Sequence, residues 1–132
     1  MSHNKPDDLF LAATADSPEV NFEFSANRLS LKGESYPENA AAFYADMLSR
    51  TRAYLDAVPA QITVDVALVY FNSSSTKVLF TLFQMLNDTV PKGSKIALNW
   101  YHDPEDDTIL EFGQELHDDF PLIDFRDHAL SQ

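Results

Sequence analysis

"ITVDVALVYFNSSSTKVLFTLFQML", residues 62–86, changes its hydrophobic period in the middle. Ile62, Val64, Val66, Leu68 and Tyr70 occupy every second position, the spacing of a strand with a buried face. Ala67, Val69 and Phe71 fill the gaps late in the run, as in a central strand covered by helices on two sides. Val78, Leu79, Leu82, Phe83 and Leu86 then recur at three- and four-residue steps, which predicts a helix over about 75–89, closed by "PKG". A buried strand passing directly into an amphipathic helix is half of a strand-helix-strand unit. The α/β class follows from it.

The flanking sequence repeats the alternation. Val20, Phe22 and Phe24 alternate with polar residues, as do Leu29 and Leu31, which predicts a hairpin of 19–25 and 28–33 closed by Ala26 and Asn27. Leu9 and Leu11 suit a short edge strand. Phe43, Met47, Tyr54 and Val58 mark a helix of about five turns that begins near Tyr36 and stops at Pro59. Ile96, Leu98 and Trp100 predict another strand, Ile109, Phe112 and Leu116 a third helix, and "PLIDFRD" a last strand. The expected fold is a single α/β domain over 9–128: a mixed, mostly parallel sheet, an N-terminal antiparallel hairpin and three main helices. Residues 1–8 and 129–132 read as flexible tails.

The chain has 132 residues, enough for one domain, and its net charge of −12 disfavours nucleic acid and anionic membranes as partners. It has no cysteine, hence no disulfide, thiol catalysis or Cys-ligated metal, and three glycines leave little room for a Gly-rich phosphate loop. The N-terminus lacks the apolar core of a signal peptide, and no run is long enough to span a membrane, so a cytoplasmic location is expected.

The connections "GESYPEN", "FNSSSTK" and "WYHDPED" all lead from strand to helix. In a parallel sheet they gather at the carboxyl edge, where sites in open α/β folds lie. Ser35 and Glu38 have the spacing of a capping box, with Pro37 in the first turn, which leaves Tyr36 as a contact residue or a staple. Asp103, followed by Pro104, reads as the cap of the third helix. His102 stands beside it, but His3, His117 and His128 lie elsewhere, so no zinc site and no other cofactor is expected.

"NSSST" has more hydroxyls than a cap requires. Asn72 or Ser73 suffices for the helix, and Lys77 opposes the helix dipole unless it meets an anion. A serine nucleophile would need a base, and this turn lacks the glycines of a hydrolase elbow. Amides at the helix start could hold a small anion or nucleotide, making the domain a ligand sensor that uses Lys77 and His102. Alternatively, a hydroxyl receives a phosphoryl group, which a helix start tolerates electrostatically.

"RLSLKGESYPEN" followed by "VYFNSSSTK" resembles the SiaC family of bacterial regulatory phosphoproteins, with its Gly-x-Ser-Tyr-Pro-Glu-Asn and Asn-Thr/Ser-Ser-Ser-x-Lys motifs. "NWYHD" is similar to the family's third polar turn, and the likeness covers roughly residues 10–126. The resemblance implies a STAS-like fold, like that of anti-sigma-factor antagonists, and a non-enzymatic place in a partner-switching system. It implies a cognate kinase that phosphorylates the hydroxyl after the motif asparagine and a PP2C-type phosphatase that removes the phosphate. The bare form would bind an effector such as a diguanylate cyclase of c-di-GMP signalling. Asn72 is then the motif asparagine and Ser73 the acceptor, with Ser74, Ser75 and Thr76 as alternatives. Tyr36, Pro37, Glu38, Asn39, Asn72, Ser74, Lys77 and His102 become the partner-binding set.

Overall fold

The computed structural model describes residues 6–130. Both expected tails therefore fall partly outside the described residues, and His3 does so wholly. The elements are β1 (Leu9–Leu11), β2 (Glu19–Glu23), β3 (Arg28–Ser35), α1 (Ala40–Asp56), β4 (Gln61–Phe71), α2 (Ser73–Thr89), β5 (Lys95–His102), α3 (Asp107–Asp119) and β6 (Asp124–Ala129). The six strands lie side by side in chain order. β1, β2 and β3 pair antiparallel, and β3 to β6 pair parallel. This is the mixed sheet, hairpin and three helices that the periodicities predict.

Cross-strand partners explain where the core lies. Leu29 opposes Val64, Leu31 opposes Val66, Val64 opposes Leu98 and Val66 opposes Trp100, and all are buried. Tyr44, Met47 and Tyr54 of α1, Leu82, Phe83 and Leu86 of α2, and Ile109 and Leu116 of α3 join the same cluster. The alternate row, Asn21, Ser30, Asp65, Asn99 and Arg126, forms the opposite, polar face. Two-sided cover of β4 is thus corrected: the helical side chains pack on one face. Asp65 is buried within the polar row because Arg28 Nη2 lies 2.7 Å from its carboxylate and Asn99 Nδ2 donates to it at 2.8 Å.

The alternation in β4 also breaks before its end. Gly33 opposes Leu68 but Glu34 opposes Tyr70, leaving Val69 as an extra residue. Such a bulge reverses which side the following residues face. Tyr70, expected on the buried stripe, is instead 50% exposed, and Val69 is 51% exposed. Phe71 turns inward, its ring 4.8 Å from Phe112 and 6.4 Å from Trp100.

The element ends differ from expectation for local reasons. β2 stops at Glu23, because Phe24 swings into the core in a short 3-10 turn (Phe24–Ala26) and packs 5.0 Å from Tyr54. Asn27 closes the turn at φ 56°, a conformation that asparagine tolerates. α1 begins at Ala40, with Asn39 Oδ1 accepting from the Ala42 amide at 3.1 Å, so the Ser35–Glu38 capping box does not form. Asp103 organises only the turn before α3, accepting from Glu105 N at 2.8 Å. The cap of α3 is Asp106, which accepts from Ile109 N at 3.1 Å. α2 starts two residues earlier than predicted, at Ser73.

One helix–sheet contact depends on a missing side chain. A Cβ at Gly113 would lie 2.5 Å from Trp100 Nε1, which donates to Ile109 O at 3.0 Å. Gly113→Ala should cost about 1–3 kcal/mol by overpacking, despite the better helix propensity of alanine. Trp100 is the only tryptophan, so its fluorescence in a urea titration reads the loss directly. An unchanged midpoint would contradict this packing.

Candidate functional site

The carboxyl ends of β3 and β4 are joined by a cluster of buried hydroxyls. Ser35 Oγ lies 2.5 Å from Tyr44 OH and 2.7 Å from Ser75 Oγ. Ser75 Oγ also donates to Ser35 O at 3.0 Å, and the Asn72 amide donates to the same carbonyl at 3.0 Å. Ser35 and Ser75 are both buried, so each lost partner would strand a polar group away from water. The last residue of β3, the first turn of α2 and the first turns of α1 are thereby fixed to one another.

This junction separates the hydroxyls of "NSSST" by task. Asn72 caps α2, its Oδ1 accepting from Ser75 N at 2.9 Å. Ser75 serves the buried cluster, and Thr76 Oγ1 donates to Asn72 O at 3.1 Å. Ser73 and Ser74 are exposed, and no hydrogen bond to either hydroxyl occurs among the described residues. Of the four candidate acceptors, two are therefore occupied by the fold and two face water.

The surroundings are partly apolar. Tyr36, 39% exposed, meets Tyr70 edge-on at 5.7 Å and donates its hydroxyl to Ala15 O at 2.8 Å. With Val69 these rings form an exposed patch beside the turn. Tyr70 and Val69 were missed by sequence reading: the bulge turns Tyr70 outward, and Val69 lies on the sheet face opposite the helices. On the other flank, Glu38, Asn39 and Ala41 of the first turn face Ser74, Lys77 and Val78 of α2 across a groove of about 560 Å³.

Pro37 is buried beneath the turn. His102 is buried as well, with Nδ1 at 3.1 Å from Asp103 O. Its Nε2 lies 2.6 Å from Asp127 Oδ1, off the line of an aligned hydrogen bond. Neither nitrogen faces a serine, and His102 does not line the groove that holds Lys77. Among the described residues no cluster of three His, Asp or Glu side chains could hold a metal.

The model of the SiaC family of regulatory phosphoproteins matches residues 11–130. This chain belongs to that family. It is a regulatory protein and not an enzyme. Apo-SiaC from Pseudomonas aeruginosa is similar at 27% identity and a TM-score of 0.84, over 92% of this chain and 98% of that one. A chain of the complex between the diguanylate cyclase SiaD and its activator SiaC, from the same organism, matches at 27% identity and a TM-score of 0.86. That match covers 93% of this chain and 100% of the other. A protein of P. aeruginosa strain UCBPP-PA14 is 27% identical over 117 residues, 87% of this chain and 93% of its own length.

The division of hydroxyls has a measurable consequence. Ser75→Ala should cost about 1–3 kcal/mol in urea unfolding, since it removes both buried hydrogen bonds from Ser75 to Ser35, whereas Ser74→Ala should stay within about 0.5 kcal/mol. Equal effects would refute the buried junction.

Alkaline pH tests the same region. Burial raises the Tyr44 pKa, with the Ser35 hydrogen bond pulling partly the other way, and burial raises that of Tyr54 too. Both phenols are held neutral in the native state, while unfolded tyrosines ionise near about 10. Their contribution is complete below that pH and is lost as pH rises through the native values. Absorbance at 295 nm should show two of the five tyrosines ionising late, together with loss of the fold. Five ionising together near pH 10 in a still-native protein would be the contrary result.

Proposed function

We propose that this chain is the phospho-switch of a partner-switching system. A cognate kinase transfers the γ-phosphoryl group of ATP to Ser73 Oγ, releasing ADP, and a PP2C-type phosphatase hydrolyses the ester. The bare form binds an effector of the diguanylate-cyclase class, as SiaC binds SiaD. The observation that carries this reading is the exposed Ser73 hydroxyl at the first position of a helix that Asn72 already caps. The hydroxyl has no structural task, so a phosphoryl group can replace its proton without unfolding anything.

The partner side of the switch follows from what surrounds Ser73. Tyr36, Tyr70 and Val69 offer exposed apolar surface, which the effector covers. Glu38, Asn39, Asn72, Ser74 and Lys77 form the polar rim, while Pro37 and His102 shape the turns from beneath. A phosphoryl group adds about −1.5 to −2 charges to this edge, and a docked partner would have to desolvate them. The alternative, a small-anion or nucleotide sensor, requires Lys77 and His102 to converge. Their separation into a groove and a buried strand end favours the switch.

Incubation with the cognate kinase and ATP, followed by peptide mass spectrometry, should place the phosphate on Ser73. Modification confined to residues outside 73–76 would overturn the assignment. Ser73→Asp should weaken binding to the cyclase effector by about tenfold or more, equivalent to 1.4 kcal/mol, while the melting temperature moves by no more than a degree or two. A large loss of stability would instead make Ser73 a structural residue.

A further inference from the structure

Lys77 is a cation that neither the cap nor the core of α2 uses. It lies four residues after Ser73, one turn along the same helical face, and its side chain is exposed. No ion pair among the described residues involves it, although Glu38 lines the same groove. The phosphoryl group at Ser73 would bring an anion within one turn of this unpaired cation. Lys77 is the fifth residue of α2, just past the first turn at the helix's positive end.

We propose that Lys77 is the counter-charge of a phosphoserine at position 73. An anion at one position and a cation four residues toward the C-terminus is the favourable orientation of a helical ion pair. Phosphoserine presents three acceptor oxygens and nearly two charges, more than any carboxylate in that place. In the bare protein Lys77 is a free positive charge on the rim of the groove between α1 and α2. Phosphorylation draws it onto the phosphoryl group. The rim then gains an anion and loses its accessible cation in one event, and the phosphate is held against α2. This inference rests on the phospho-switch reading and says how the modified site is organised.

The test installs phosphoserine at position 73 during synthesis, which bypasses the kinase, and follows the ³¹P resonance through a pH titration. The phosphate's second pKa, ordinarily about 6, should be lower in the Lys77 protein than in Lys77→Gln by about 0.3 unit or more. Lys77→Arg should retain the lower value, and high salt should narrow the gap. Equal pKa values in all three folded proteins would overturn the inference. The phospho-switch reading fails on a different measurement: equal affinity of the phosphorylated and bare wild-type proteins for the cyclase effector.

Discussion

The buried contact of Ser35 with Ser75 and Tyr44 is the constraint on which the carboxyl edge depends. It ties the end of β3 and the start of α1 to α2, with Ser35 and Ser75 40 residues apart in sequence. A hydroxyl suits this role because it donates once and accepts twice in a small volume, so three of them can satisfy one another without water. Ser35 is the central member: without its hydroxyl, Tyr44 would lose its partner in a low-dielectric site. The amide of Asn72 adds the backbone to the same carbonyl and sets where α2 begins.

Stability and the proposed regulation thereby fall to different residues of one short turn. Ser75 and Thr76 hold the helix start, Asn72 caps it, and Ser73 and Ser74 are left in water. A charged group can enter at Ser73 because nothing buried depends on its hydroxyl. The same change at Ser75 would place an anion in the core, at a cost no helix dipole offsets. A structural residue and the proposed acceptor can sit in one turn because successive helical positions point about 100° apart.

The bulge at Val69 shapes the surface beside the Ser73 turn. One extra residue in β4 sends Tyr70 out and Phe71 in, giving the edge its exposed aromatic pair and α3 its ring contacts with Phe71. Counting every second residue cannot detect this, since Val69 is as apolar as its neighbours and fits either face. The polar face misled for a related reason. Ala67 and Val69 read as buried, but the row beside them runs through Ser30, Asp65 and Asn99, and the register that aligns these residues exists only once the strands pair.

Local sequence determined the number, type and order of the elements, because a period of two or of 3.6 is imposed by the backbone itself. It also located the three polar turns at one edge, since parallel crossovers leave no alternative. Family motifs singled out Ser73 among similar hydroxyls. What only the tertiary structure decided was which polar residue serves which partner. Ser35 looks like a helix cap in sequence and is instead part of a buried junction, because Ser75, 40 residues away, takes its hydroxyl. Asn39 and Asp106 became the caps for the same reason: a cap is settled by which amides a side chain can reach, and that geometry follows from packing.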